Sequence, residues 1–165
     1  MRLDETEKGM PEPSAHTQEE QLNLSSRLAD LTRVARWVES LASEHGFSSE
    51  LVFAVKLCLE EALSNVIRHG YRGDPDHAIA IHCSVRTVRQ PAESAGELVF
   101  AIEDDAPHFN PLEAVQAGDD ASRTLDEIVP GGQGIRLLRK FAGSLQYEPL
   151  ASGNRLIIGF SIPRS

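Results

Sequence analysis

Apolar residues recur at steps of three and four in two segments of the chain, and this period predicts two amphipathic helices. The first helix begins after Ser25 or Ser26 and stops at Gly46, since serine suits a helix start and glycine a helix end. Its apolar stripe consists of Leu28, Leu31, Ala35, Val38 and Ala42. The second helix begins near Ser48 or Ser49 and ends around Gly70. Its stripe consists of Leu51, Val55, Leu59, Ala62 and Val66.

Shorter apolar runs, some with strict alternation, predict strands in the rest of the chain. The predicted strands cover residues 18–24, 78–88, 98–102, 144–150 and 155–162, the first of them as an edge strand. A third helix covers residues 134–142, and Ser152-Gly153-Asn154 forms the turn between the last two strands.

Two segments lack such a pattern. Residues 1–16 are polar and acidic, which predicts a disordered tail before a single domain over 17–165. Residues 106–131 combine several prolines and glycines with acidic residues, and contain at most one short helix. Long irregular loops in compact domains are usually functional lids or disordered, so this segment is a candidate lid.

Length and charge exclude several classes of protein. A chain of 165 residues with 41 % hydrophobic residues predicts one globular domain. Its net charge of −9 argues against a dominant nucleic-acid or anionic-membrane surface. We see neither a secretory signal nor an apolar run of membrane-spanning length, so the cytoplasm is the expected location. The two cysteines, Cys58 and Cys83, suggest neither a zinc site nor a disulfide framework.

A polar stripe borders the apolar face of the second helix. Glu61, Asn65 and His69 are four residues apart, so they follow one another along the helix. The side-chain oxygen of Asn65 is a good ligand for a hard cation, and Glu61 is well placed to take a proton nearby. The alternative for Asn65 is an ordinary bridged polar residue, and for His69 we favour a structural hydrogen bond. Glu60 is expected to face solvent.

Two further segments carry candidate chemistry. The predicted strand over 98–102 runs into consecutive acids, and Asp104 could accept a hydrogen bond from a ligand amine; taken alone, the segment reads better as a solvated turn. Gly131-Gly132-Gln133-Gly134 precedes an apolar helix. Glycines let a ligand approach the backbone, and a helix start offers free N–H groups to phosphate. The alternative is a hinge or tight turn, and no Walker motif is present.

In this order, the three segments resemble the motifs of the GHKL superfamily of ATP-binding domains, and most of all those of the anti-sigma-factor serine/threonine kinases. Residues 59–71 are similar to the N box, residues 102–111 to the first glycine box, and residues 131–135 to the second. The resemblance covers residues 18–162. It implies an α/β sandwich in which helices cover one face of a mixed, mostly antiparallel sheet.

The resemblance also implies a role for each motif residue. Asn65 would hold a Mg²⁺ ion bridging the phosphates of ATP, Glu61 would be the catalytic base, and Asp104 would accept from the adenine amino group. Gly132 and Gly134 would line the phosphates under a lid over 106–131. The other residues of the implied nucleotide site are His69, Ala106, Gly131, Gln133 and Ile135.

The resemblance implies a kinase that phosphorylates an anti-anti-sigma partner of the STAS type and sequesters a sigma factor. Homodimers are common in the family. Two departures from its pattern keep other readings open. Ala106 stands where glycine is usual, and residues 126–130 are acidic and apolar where some members have a basic residue. The alternatives are an ATP-gated binding module without catalysis, or a domain that no longer binds nucleotide.

Overall fold

The fold places five antiparallel strands in one sheet. A computed structural model of the chain describes residues 15–87, 96–114 and 132–164. The strands are β1 (His16–Ser25), β2 (Ala78–Thr87), β3 (Gly96–Asp104), β4 (Ser144–Pro149) and β5 (Asn154–Ile162), in the sheet order β1-β2-β3-β5-β4. Each pairing among these described strands is antiparallel, whereas the resemblance implied a mixed sheet.

The helices are α1 (Leu31–His45), α2 (Ser49–Asn65), α3 (Pro111–Ala114) and α4 (Gly132–Phe141). A 3₁₀ turn over Leu28–Asp30 precedes α1, and a π turn over Val66–Gly70 follows α2. The predicted helices and strands are thus all present. The edge strand β1 is longer than predicted and begins at His16, inside the predicted tail.

Capping residues explain the end of α1 and the start of α2. Ser48 caps the start, because its hydroxyl accepts a hydrogen bond from the Leu51 N–H at 3.2 Å. Gly46, which ends α1, has the left-handed φ of 68° that favours glycine.

The first predicted helix needed two corrections. Ser25 lies in β1 and donates to the Asp30 carboxylate, so it does not cap a helix. The buried stripe of α1 consists of Val34, Val38 and Leu41, while Leu28 is exposed in the 3₁₀ turn. The 3₁₀ turn delays the α-helix by three residues, and this changes which residues face the core.

One hydrophobic core fills the space between the sheet and the helices. Alternate residues of β2 and β3 are buried, as expected for a sheet covered on one face. The ring of Trp37 on α1 meets that of Phe100 on β3 edge-on, with centroids 5.9 Å apart. The predicted α/β sandwich is therefore confirmed. The predictions of a tail over 1–16 and a lid over 106–131 fall mostly on residues outside the described ranges.

Candidate functional site

The polar border of α2 carries two side chains that have no hydrogen-bond or ion-pair partner among the described residues. Glu61 and Asn65 are half-buried, and neither makes a hydrogen bond or an ion pair within the described part of the chain. Glu60, one residue earlier, is exposed as predicted. Helix spacing thus leaves a carboxylate and an amide side by side, both available to a ligand.

The start of α4 packs directly against this pair. A Cβ built on Gly134 would lie 2.5 Å from Oε2 of Glu61 and 3.6 Å from Nδ2 of Asn65. Ile135, the next residue, is only 3 % exposed and anchors the helix in the core. The glycine segment and the polar stripe, 70 residues apart in sequence, therefore form one site. Gly132 and Gln133 open α4, and Gly131 lies outside the described residues.

The end of β3 places the Asp104 carboxylate in a buried position, with 8 % of the residue exposed. Its Oδ1 accepts hydrogen bonds from the Ala106 N–H at 3.0 Å and from Nδ2 of Asn154 at 2.8 Å. No described residue donates to its Oδ2. Burial raises the pKa of Asp104 above its ordinary value, against the lowering effect of these two hydrogen bonds. One carboxylate oxygen is thus fixed, and the other is left to accept from a ligand.

Asn154 holds the Asp104 carboxylate in place, and the sequence analysis did not identify it as a candidate site residue. It is 7 % exposed, and its amide is fully used. Nδ2 donates to Asp104 and to the carbonyls of Ala106 and Pro107, while Oδ1 accepts from the Phe109 N–H and the Tyr147 hydroxyl. The sequence signal was the turn at Gly153, but only the β3–β5 register, which pairs Asp104 with Asn154, reveals the contact.

Ala106 fits its position without strain. Arg72 is the only described residue other than glycine with a positive φ, so Ala106 does not need the glycine that the family usually has. Ala106 is buried, and a Cβ built on Gly70 would lie 3.0 Å from its methyl group. The segment after β3 therefore packs against the π turn at the end of α2.

Tyr71 ties the same two segments together. Its hydroxyl donates to Oδ1 of Asp105 at 2.6 Å and accepts from the Asp105 N–H at 2.9 Å. The ring stacks on that of His77, with centroids 4.2 Å apart. Burial raises the pKa of the Tyr71 hydroxyl, so it remains a donor at neutral pH. The predicted N box thus meets the first glycine box through partly buried hydrogen bonds.

The structural hydrogen bond that we favoured for the His69 side chain is not found among the described residues. His69 lies in the π turn, is exposed, and makes no hydrogen bond with the described residues. The π turn widens the helix, as shown by the bond from the Tyr71 N–H to the Val66 carbonyl. The regular step of four residues that aligned His69 with Asn65 therefore ends at residue 65.

The site fits a nucleotide and its cation in two respects. The absence of a side chain at Gly134 lets the start of α4, whose free N–H groups suit phosphate, lie directly against the Glu61 carboxylate and the Asn65 amide. The Asn65 oxygen and the Asp104 Oδ2 are acceptors without partners among the described residues, suited to a cation and an amine respectively. None of the described helices is both long and apolar enough to cross a membrane.

Comparison with known proteins agrees with this geometry. Residues 24–160 match the sequence family described as the histidine kinase-like ATPase domain. The chain is 32 % identical over 145 residues to the serine/threonine-protein kinase BtrW of Bordetella bronchiseptica, covering 87 % of this chain and 95 % of that protein.

Two further relatives are more distant. The serine-protein kinase RsbW of Bacillus subtilis is 25 % identical over 111 residues, which cover 67 % of this chain and 66 % of RsbW. The anti-sigma F factor of Halalkalibacterium halodurans is 26 % identical over 98 residues, which cover 58 % of this chain and 60 % of that protein.

Proposed function

This chain belongs to the histidine kinase-like ATPase family, and on that premise we propose that it is a serine/threonine protein kinase that regulates a sigma factor by partner switching. Its relatives BtrW and RsbW are named a serine/threonine-protein kinase and a serine-protein kinase, and a third is named an anti-sigma factor. The observation that carries the proposal is the contact of Gly134 with Glu61 and Asn65, which joins a phosphate-binding type of backbone to a base and a cation ligand.

The nucleotide lies between the end of β3 and the start of α4. Oδ2 of Asp104 accepts from the adenine amino group, because Oδ1 is already occupied by Ala106 and Asn154. The backbone of Gly132 and Gly134 faces the phosphates, where the unpaired N–H groups of a helix start favour anions. Ala106, His69, Gly131, Gln133 and Ile135 complete this site.

Asn65 holds the cation. Mg²⁺ is usually bound through one or two protein ligands together with phosphate oxygens and water, so a single amide oxygen suffices here. When bound, Mg²⁺ neutralises charge that develops on the transferred phosphoryl group. Catalysis then depends mainly on positioning and electrostatics rather than on covalent chemistry by the protein.

Glu61 is the base. Its carboxylate takes the proton from the partner's serine or threonine hydroxyl as the hydroxyl oxygen forms a bond to the γ-phosphorus. The bond between that phosphorus and the β–γ bridging oxygen breaks, and ADP leaves. Because Glu61 makes no hydrogen bond or ion pair with the described residues, its oxygens are available to a hydroxyl.

The partner is a STAS-type anti-anti-sigma protein, and the sigma factor is bound when that partner is phosphorylated. We place the kinase in the cytoplasm, where ATP and sigma factors are found, and expect a homodimer that contacts neither nucleic acid nor membrane directly. The similarity of this chain to an anti-sigma F factor supports the sigma-factor assignment.

The test is to incubate the chain with labelled ATP, Mg²⁺ and a STAS-type partner, namely the one whose gene lies nearest to the gene of this chain. We expect label on the partner with the wild type, and a loss of at least about 100-fold with Glu61→Ala at unchanged ATP affinity. Glu60→Ala is the matched control, because it removes an exposed carboxylate from the same helix. Transfer at the normal rate by Glu61→Ala would refute the role of Glu61.

The alternative is an ATP-gated binding module without kinase activity. One of its two motivations has weakened, because Ala106 needs no positive φ. The other, the acidic stretch over residues 126–130, lies outside the described residues. ATP binding without any label on an authentic partner would favour this alternative.

A further inference from the structure

The backbone conformation at position 134 does not require glycine. Gly134 lies at the third position of α4, inside a helix. Among the described glycines, positive φ values occur at Gly46, Gly73 and Gly153, and not at Gly134. Glycine is one of the weakest helix formers, so alanine would be favoured here on helical grounds. The reason for glycine must therefore be the space around it.

The Glu61 carboxylate occupies that space. A Cβ at position 134 would lie 2.5 Å from Oε2 and 3.5 Å from the carboxyl carbon of Glu61. Real Cβ atoms essentially never approach another heavy atom more closely than 3.0 Å. A side chain at 134 and the carboxylate in its present position are thus mutually exclusive.

A clash here would move the carboxylate rather than the helices. Ile135 and Leu138 anchor α4 in the core with 3 % and 0 % exposure. Leu59 and Leu63, on either side of Glu61, are both 0 % exposed and anchor α2. Glu61 itself is half-buried and makes no hydrogen bond that would hold it, so its flexible end is the part that can move.

We propose that Gly134 is a positioning residue for Glu61, whose missing side chain leaves the space in which the carboxylate is held ready to accept a proton. The proposal rests on the proposed kinase function for the role of Glu61. It differs from the phosphate-binding role of this glycine, because it concerns a contact between two parts of the chain. It also means that a movement of the start of α4 would change the space available to the Glu61 carboxylate.

The kinetic test uses Gly134→Ala in the full chain. We expect kcat for phosphotransfer to fall about 10-fold or more, because small misplacements of catalytic groups are costly, with KM for ATP changed less than about threefold. In a Glu61→Asp background, whose carboxylate is one methylene shorter, Gly134→Ala should lower kcat little further. An unchanged kcat, or an equal loss of kcat in both backgrounds, would overturn the proposal. A loss confined to ATP affinity would also overturn it, and would indicate that the glycine serves phosphate binding instead.

A second measurement needs neither ATP nor a partner. Gly134→Ala is introduced into the wild type, Glu61→Ala and the control Glu60→Ala, and the melting temperature of each chain is measured. With Glu61 truncated, alanine should raise the melting temperature by about 2–4 °C through its helix propensity. With Glu61 present, in the other two chains, it should give less gain or a loss.

The same change in all three chains would show that Gly134 and Glu61 do not interact. A wild type that transfers no phosphate would remove the proposed function instead. The two failures are therefore separable.

Discussion

At the scale of single residues, the Asp104 carboxylate of the proposed nucleotide site is fixed by its neighbours. Asn154 and the Ala106 N–H hold one oxygen, and burial removes water from the group. The result is a carboxylate that is fixed in place but carries an unfavourable charge before a ligand arrives. Binding sites often retain such a cost in stability because function depends on it.

Asp104→Asn tests this arrangement, because the amide keeps the Oδ1 acceptor and replaces Oδ2 with a donor. We expect ATP affinity to fall about 10- to 100-fold, since two amino groups would then face each other. Isothermal titration calorimetry measures this directly. Asp76→Asn is the control, because it removes the same charge from a side chain that is 80 % exposed. Unchanged affinity in Asp104→Asn would place the adenine elsewhere.

The raised pKa of Asp104 also predicts how the stability of the chain depends on pH. Burial raises the pKa of Asp104 above 3.8 in the folded chain, so the folded chain holds this proton more tightly than the unfolded one. The free energy of unfolding contributed by Asp104 therefore falls as pH rises from 3.8 through the raised pKa. Ligand-free Asp104→Asn should gain melting temperature over the wild type as pH rises, and lose this gain below pH 3.8. A difference in melting temperature between Asp104→Asn and the wild type that does not change with pH would contradict this.

At the scale of elements, the π turn after α2 connects two motifs. It brings Gly70 against the Ala106 methyl group, so that a Cβ at Gly70 would make a tight contact of 3.0 Å with that methyl group. Insertions of this kind often occur at functional sites. Here the π turn allows the end of α2 to pack against the segment after β3, through the contact of Gly70 with Ala106.

Gly70→Ala should destabilise the chain by about 1–2 kcal/mol through overpacking against Ala106. Moving the methyl group across the contact, in Gly70→Ala with Ala106→Gly, should restore most of that loss. Urea denaturation at constant slope measures both. If the double variant were no more stable than the sum of the single changes, the contact would not be the cause.

The sequence predicted elements well and contacts between elements poorly. Periodicity placed Glu61 and Asn65 on one helix face, and the glycines marked the start of α4. It could not show that Gly134 touches Glu61, because that depends on how α2 and α4 pack. Asn154 remained hidden for the same reason, since its partners lie across the β3–β5 pairing. The end of the four-residue step before His69 was not predicted, because a π turn has no clear sequence signal.

At the scale of the whole molecule, one sheet brings the three motifs together. Antiparallel pairing of β3 with β5 sets Asn154 beside Asp104, and α4 returns over α2 before the last two strands. The proposed site therefore draws on residues 61 to 154 and depends on the packing of the helices against the sheet. A ligand that binds only this folded arrangement should stabilise it, by about 2.7 kcal/mol at one hundred times its dissociation constant.

The central claim is that ATP binds here with a cation held by Asn65. Calorimetric titration of ATP into the wild type, Asn65→Ala and the exposed-amide control Asn23→Ala, with and without Mg²⁺, tests it most directly. We predict one site per chain whose affinity increases with Mg²⁺, and a loss of that increase in Asn65→Ala alone. An affinity that is the same with and without Mg²⁺, or a Mg²⁺ effect that survives in Asn65→Ala, would contradict the account.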